Sequence, residues 1–265
     1  MPSWNPTTDP PPRRIGGLLA GAVLFLGGMN VLQTIQTPGP QPEGLASDGI
    51  HLWLSDFQTN KIYRIDPDVP DSIRAYDAPG TGPEGLAWDG SHLWTGSWFT
   101  KKIYRLAVTD TELVVTREFD TPMGAKPVGF TWDGTALWIT TWNPFYLFRL
   151  DPADGSVLFS RLLGFPAEPL YPNFGSPAPE DLAWDGTLWM TDWYTREIHQ
   201  FDAETLELLQ SIETPGPRSV GLTFHEGFLW NGDTERDAIY KLDVTVSGAP
   251  VSWGALKLGN WEPGR

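Results

Sequence analysis

Three glutamates occupy the same position in a phrase that recurs along the chain. Glu43, Glu84 and Glu180 each precede a short apolar run, an aspartate with a glycine, and then a tryptophan. Carboxylate oxygens are the ligands that hard cations prefer in proteins, so three carboxylates at one place predict a site for Ca²⁺ or another divalent cation. Asp192 is a fourth candidate ligand by its position after one copy of the phrase. No other cofactor is expected.

Aromatic residues recur four positions after the tryptophan that closes each copy, in four of the five copies. Aromatic faces stack against sugar rings and hold cations, which predicts a ligand-binding rim. The alternative is that the rings pack only against their neighbours. A long proline-rich link over residues 163–179 adds two of its aromatic side chains as candidates, because long loops in compact domains are often binding loops. An ordinary insertion stiffened by proline is the alternative. The candidate ligand-binding residues are Phe57, Trp98, Trp142, Trp193, Tyr171 and Phe174.

Composition excludes several kinds of chemistry. The chain has no cysteine, so disulfides, thiolate metal sites and cysteine nucleophiles are absent. Acidic residues number 33 against 18 basic ones, for a net charge of -15. A phosphate backbone is bound by lysine and arginine, so nucleic acid is not an expected partner. The sequence also has no phosphate-binding loop, zinc motif or serine nucleophile elbow.

The phrase itself predicts the architecture. It occurs five times, and the tryptophans that close its copies are 41, 44, 51 and 41 residues apart. Repeats of about 40–45 residues are typical of propeller blades. The closing residues are Trp53, Trp94, Trp138, Trp189 and Trp230.

Each repeat divides into four short runs of strand type, with no helical run between them. Residues 85–88 alternate small and large side chains, and Asp89 and Gly90 then form a tight turn. The predicted fold is therefore all-β, a β-propeller of four-stranded blades. Five blades are favoured, because residues 31–37 read as a strand that completes the last blade. Six are possible if residues 15–28 supply two further strands.

The order of strands brings the candidate residues to one face. The links between repeats and the loops after the second strand share this top face, whereas the Asp-Gly turns share the other. The glutamates and aromatic residues then meet at the mouth of the axis, in an acidic funnel with an aromatic rim. The other two links carry Lys126 and Arg218. As an alternative to metal binding, the glutamates pair with these cations or face water.

The recurring pattern resembles the bacterial streptogramin-lyase-like and gluconolactonase-like propellers, and the NHL-type repeats. Typical copies read Glu84-Gly-Leu-Ala-Trp-Asp-Gly90 and Ile62-Tyr-Arg-Ile-Asp-Pro67, and the resemblance covers about residues 31–260. Likeness to gluconolactonases implies a divalent metal held by a blade-start glutamate together with an asparagine and an aspartate. Likeness to streptogramin lyases implies a histidine and a glutamate as bases in the funnel. The four histidines here map away from the funnel, which disfavours a lyase of that kind: His51, His92, His199 and His225.

Two functions follow from these residues. The first is a ligand-binding or interaction propeller that takes a small molecule, glycan or peptide on its top face. The second is a divalent-metal-dependent hydrolase or lyase, similar to a lactonase, that uses the funnel carboxylates. The repeats specify blades rather than chemistry, so the sequence leaves open whether the protein is an enzyme. A monomer is expected.

The amino-terminal residues 1–30 differ in composition from residues 31–265, which are predicted to form the propeller. A proline-rich stretch ends in Arg13 and Arg14, and residues 15–28 are apolar and uncharged. Fourteen such residues suit the apolar part of a signal peptide and are too few for an ordinary membrane-spanning helix. The pattern favours export or membrane anchoring. A cytoplasmic protein, with these residues as strands, is the alternative.

Overall fold

The computed structural model describes residues 29–163 and 178–244. Their twenty strands form five separate four-stranded antiparallel sheets. The first strands of the repeats contact one another in a closed ring, so the sheets are the blades of a five-bladed β-propeller. Apart from strands, the described residues contain one turn of 3₁₀ helix, Pro122–Gly124. No helix within these ranges is long and apolar enough to cross a membrane.

Blades 1 to 4 run outward from the axis in chain order, and blade 5 has the first strand of the chain at its outer edge. Blade 1 contains β2 (Pro42–Ser47), β3 (Leu52–Asp56), β4 (Lys61–Ile65) and β5 (Ile73–Asp77). Blade 2 contains β6 (Pro83–Trp88), β7 (Leu93–Ser97), β8 (Lys102–Val108) and β9 (Leu113–Asp120). Blade 3 contains β10 (Lys126–Trp132), β11 (Leu137–Trp142), β12 (Tyr146–Leu150) and β13 (Val157–Leu162). Blade 4 contains β14 (Pro179–Trp184), β15 (Leu188–Asp192), β16 (Glu197–Phe201) and β17 (Leu208–Glu213). Blade 5 contains β18 (Ser219–His225), β19 (Phe228–Asp233), β20 (Ala238–Asp243) and β1 (Asn30–Gln36).

Pairing of the two ends of the described chain closes the ring. β1 lies antiparallel to β20, with Ile35 opposite Ile239. This confirms the prediction that residues 31–37 complete the last blade, and it makes five the number of blades rather than six. Residues 15–28, which the six-bladed alternative needed, lie outside the described residues.

The core consists of five clusters of buried apolar side chains, one between each pair of neighbouring blades. The second strand of every repeat contributes its tryptophan, and none of these five side chains is more than 4% exposed. Burial of such large side chains between blades is the main stabilising contribution that this repeat can supply. The five repeated tryptophans are therefore structural residues of the core.

Hydrogen bonds on the lower face, where the Asp-Gly turns lie, hold three of these tryptophans in place. The indole Nε1 of Trp138 donates to Asp133 Oδ2 at 2.8 Å, and Arg149 Nε donates to the same oxygen at 2.6 Å. Burial alone raises the pKa of Asp133, but the hydrogen bonds from Arg149, Thr135 and the backbone outweigh it and lower the pKa to about 2. The same indole-to-aspartate bond occurs in blades 1 and 2, from Trp53 to Asp48 and from Trp94 to Asp89.

The two repeats that depart from the consensus phrase lack this bond. In blade 4 one residue fewer separates Asp185 from Trp189, and in blade 5 His225 stands where the aspartate is expected. Among the described residues, the buried indole nitrogens of Trp189 and Trp230 have no hydrogen-bond partner. The change of sequence and the loss of the bond therefore coincide in both blades.

Candidate functional site

The top face carries a cavity of about 290 Å³ at the mouth of the axis. The second residues of β2, β6 and β14 are the three recurring glutamates, and the strand geometry directs all three to this cavity. The ends of the second strands and the loops that follow them bring aromatic rings to its walls. We call it the upper cavity, and its lining residues are Gln41, Glu43, Phe57, Glu84, Trp98, Trp142, Glu180, Trp193 and Arg218.

The structure thus brings together seven of the residues that the sequence singled out. Two others, Tyr171 and Phe174, lie outside the described residues. Sequence reasoning missed Gln41 as a lining residue and treated Arg218 only as a countercharge. A signal for both was available, because each lies two residues before the first-strand position that Glu43 or Val220 occupies.

Asp192 does not line the upper cavity. Its carboxylate is fully buried and accepts the backbone N–H groups of Tyr194 and Thr195, at 2.9 and 3.1 Å, in the turn that follows β15. Asp56 and Asp233 occupy the same repeat position and accept turn N–H groups in the same way. The described geometry therefore gives Asp192 a turn-stabilising role that recurs between blades.

The aromatic walls form a continuous surface across blades 1, 2 and 3, with one ring from each in contact with the next. The ring centroids of Phe57 and Trp98 are 6.4 Å apart, and those of Trp98 and Trp142 are 6.2 Å apart. The rings therefore pack against their neighbours and line the cavity at the same time. Across the cavity, Trp193 has a buried indole nitrogen with no hydrogen-bond partner among the described residues.

The loop placement predicted for Trp142 is wrong, because Trp142 is the last residue of β11. It pairs with Lys126, the first residue of β10, so this hairpin continues one pair further than those of blades 1, 2 and 4. The ladder fixes the backbone of Trp142 more firmly than a loop would. Its ring still faces the upper cavity.

A cation already lies against the aromatic wall. The ammonium nitrogen of Lys126 is 3.9 Å from the ring centroid of Trp98. This is close contact for a cation over an aromatic face, an arrangement that the ring quadrupole favours. The wall of the upper cavity therefore has the geometry to hold a positive charge.

The three glutamates, which form the floor of the upper cavity, have pKa values above the ordinary value for a glutamate. Burial raises the pKa of Glu43 to about 7, although the hydrogen bond from Gln41 and the charge of Arg218 oppose the rise. Burial and then repulsion from Glu43 and Glu180 raise the pKa of Glu84 well above its ordinary value. Burial followed by repulsion from Glu43 does the same to the pKa of Glu180. Below about pH 7 the carboxyl of Glu43 is therefore largely protonated, and burial also disfavours the charged forms of Glu84 and Glu180.

This cluster predicts a pH dependence of stability. The pKa of Glu43 is about 7 in the folded protein against an ordinary value of 4.5. The stability that this carboxyl contributes is fully present at pH values below its ordinary pKa and is lost as the pH rises through about 7. Each unit of pKa displacement corresponds to about 1.4 kcal/mol. We expect the free energy of unfolding to fall between pH 5 and pH 8 by clearly more in the wild type than in Glu43→Gln.

Urea melts at half-unit steps of pH measure this difference. Burial lowers the pKa of His199 to about 4, so this histidine changes the free energy of unfolding with pH in the opposite direction. Because His199 is present in both proteins, the comparison with Glu43→Gln removes its contribution. The exposed residue Glu112 provides a matched control, Glu112→Gln, which keeps the wild-type slope. An equal dependence of the free energy of unfolding on pH in the wild type and in Glu43→Gln would contradict the raised pKa of Glu43.

Comparison with known proteins shows a likeness in fold. No protein-family model matches the chain, and no curated protein matches it. The glutaminyl cyclase of Myxococcus xanthus is similar with a TM-score of 0.65 at 12% identity, over 82% of this chain and 97% of that one. The PQQ-bound aldose sugar dehydrogenase of Streptomyces coelicolor is similar with a TM-score of 0.57 at 15% identity, over 83% and 99%.

A streptogramin lyase is also among the similar structures. Virginiamycin B lyase from Staphylococcus aureus has a TM-score of 0.47 at 21% identity, over 77% of this chain and 66% of that one. At such identities a likeness shows the fold and not the activity. The chain is a five-bladed β-propeller that resembles the glutaminyl cyclase and the aldose sugar dehydrogenase in fold.

Proposed function

We propose that the upper cavity binds a small organic molecule that carries a positively charged amine. The observation that carries this proposal is the common opening of three glutamate carboxyls and four aromatic rings, all from repeat-equivalent positions, into one cavity. A concave site with mostly aromatic walls and a few convergent polar groups is the usual form of a small-molecule site.

Charge supports a cationic ligand. The lining contains three acidic side chains and one basic side chain, Arg218. Burial and then repulsion among the glutamates raise the pKa values of Glu84 and Glu180, so a bound ammonium offsets the repulsion and favours their ionised forms. The ammonium of Lys126 against Trp98 is an internal precedent for a cation on this wall. A ligand amine would have the carboxylates below it and ring faces beside it.

A divalent cation is the second candidate, with a metal-dependent hydrolase or lyase as the function. Glu43, Glu84 and Glu180 are the oxygen donors that would hold an ion, and the ion would polarise a substrate carbonyl. Within the described ranges, no three histidine, aspartate or glutamate side chains are grouped closely enough to hold a metal. For this reason we rank the organic cation first.

Either ligand is compatible with catalysis. A carboxyl whose pKa lies near the working pH is suited to general acid–base chemistry, and burial brings the pKa of Glu43 to about 7. The fold neighbours named above include a cyclase and a dehydrogenase. If the bound amine is a substrate, Glu43 is the side chain that we expect to exchange a proton with it.

A matched pair of probes tests the proposal on the full chain. 2-Phenylethylamine and 2-phenylethanol have nearly the same shape and differ in the charge of one end group. We expect calorimetric titration to give at least about tenfold tighter binding of the amine, a difference of about 1.4 kcal/mol. Equal binding of the two probes, or binding of neither, would overturn the amine proposal.

Further titrations identify the other occupants. CaCl₂ and MnCl₂ test the metal, and glucose and a short neutral peptide test the remaining classes. Submillimolar binding of a metal that is lost in Glu84→Gln, without binding of the amine, would favour the second candidate. Binding of glucose alone would assign the aromatic wall to a glycan.

A further inference from the structure

Asp181 breaks the repeat at a crowded position next to the propeller axis. The other four repeats have glycine at this position, and the first strands approach so closely there that a Cβ on Gly221 would lie 2.7 Å from Glu43 O. In blade 4 the residue is an aspartate that is only 2% exposed. Its side chain lines a narrow channel of about 10 Å³ on the axis, directly below the glutamate floor.

The carboxyl of Asp181 accepts backbone N–H groups from three other blades. Oδ2 accepts from Leu222 N at 2.8 Å and from Leu45 N at 3.1 Å, and Oδ1 accepts from Phe130 N at 2.9 Å. A further backbone N–H comes from its own neighbour, Leu182. The four donors occupy one repeat position, the residue directly after the glycine or Asp181.

Irregular pairing explains why these N–H groups are available. In every blade the register between the first and second strands shifts just before this position, for example between Pro42 and Leu45 in blade 1. A bulge of this kind takes backbone groups out of the ladder. A buried N–H without a partner is strongly destabilising, so a ring of such groups at the axis requires an acceptor.

We propose that the five-fold repeat creates an anion-binding site on the propeller axis, which the chain fills with the carboxylate of its own Asp181. The ligand class of this site is a small anion, and a carboxylate above all. Only one such side chain fits, which accounts for one aspartate among four glycines. All the partners that the structure gives this carboxyl are donors, as an ionised acceptor requires.

The internal anion acts on the fold and on the upper cavity. It joins four of the five blades through one side chain and closes the channel beneath the glutamates. Repulsion from Asp181 contributes to the raised pKa values of Glu84 and Glu180. Burial raises the pKa of Asp181 itself to about 8 and the backbone donors oppose that rise, so the carboxyl is only partly ionised at neutral pH and fills the site as a full anion above about pH 8.

Chemical rescue tests the site. Asp181→Gly gives blade 4 the residue of the other repeats and leaves the N–H groups facing a space in which formate fits. We expect the thermal midpoint of this variant to lie at least about 5 °C below that of the wild type. Sodium formate at about 0.1 M should restore more of this loss than equimolar sodium sulfate or sucrose does. Chloride, added as sodium chloride, is a second small anion, and rescue by chloride would equally support the anion site. The wild type gains from formate no more than from the controls.

Asp181→Asn is the matched control, because it fills the same space with an amide. We expect it to be destabilised and not rescued by formate. If Asp181→Gly does not fold alone, recovery of its near-ultraviolet circular dichroism on refolding in formate is the equivalent readout. Stability of Asp181→Gly equal to the wild type, absence of rescue by either anion, or equal rescue of both variants would overturn the proposal.

Discussion

Replacement of Trp138 by alanine is expected to lower the free energy of unfolding by about 3–5 kcal/mol, the usual range for removal of a large aromatic side chain from a core. The indole is 4% exposed and packs in the cluster between blades 3 and 4. Its loss also leaves the buried Asp133 without one of its donors. Urea melts of the purified variant measure the change.

Trp142→Ala is the paired variant from the same strand. Trp142 is only half-buried at the end of β11 and faces the upper cavity, so we expect a clearly smaller loss of stability. Equal losses in the two variants would show that Trp142 is as structural as Trp138. The wall of the upper cavity would then be explained by packing alone.

Conversion of Glu84 to glutamine is expected to weaken binding of 2-phenylethylamine about 10- to 100-fold, since a hydrogen bond to a charged group contributes about 1.5–3 kcal/mol. Glu84 is the most buried of the three glutamates, at 5% exposed, and the charges of Glu43, Glu180 and Asp181 all act on it. A glutamine keeps the shape and cannot ionise. Calorimetric titration under the conditions used for the wild type gives the ratio of affinities.

Two controls separate this effect from a general loss of structure. Urea melts of Glu84→Gln should show no destabilisation at neutral pH, because the raised pKa of Glu84 already disfavours its charged form. Glu112→Gln removes an exposed glutamate and should bind the amine as the wild type does. Unchanged affinity in Glu84→Gln would exclude the glutamate floor from amine recognition.

The repeat made the fold and much of the site predictable from the sequence. Every copy has the same order of small, large and turn residues, so a single spacing determines the blades and the face on which Glu43, Trp98 and their equivalents lie. Closure by the first strand followed from one unpaired run before the first repeat. These features depend on local pattern and topology, which a sequence displays directly.

Features that depend on the direction of one side chain were not predictable in the same way. Asp192 lies on the expected face, but its carboxylate turns back to cap its own loop, as Asp56 and Asp233 show for the same repeat position. Asp181 is visible in the sequence only as a departure from glycine. Its role depends on bulges in several blades that direct N–H groups to one point.

The most direct test of the amine site is to repeat the titration of the two phenylethyl probes at pH 6 and pH 8, in two buffers with different enthalpies of ionisation. The amine is charged at both values, whereas Glu43, with a pKa of about 7, changes its protonation between them. A bound cation lowers the pKa of the floor carboxyls, so binding at pH 6 should release about one proton and the affinity should rise towards pH 8. The alcohol should show neither effect. Binding of the amine without proton release and with the same affinity at both pH values would contradict recognition by the glutamate floor.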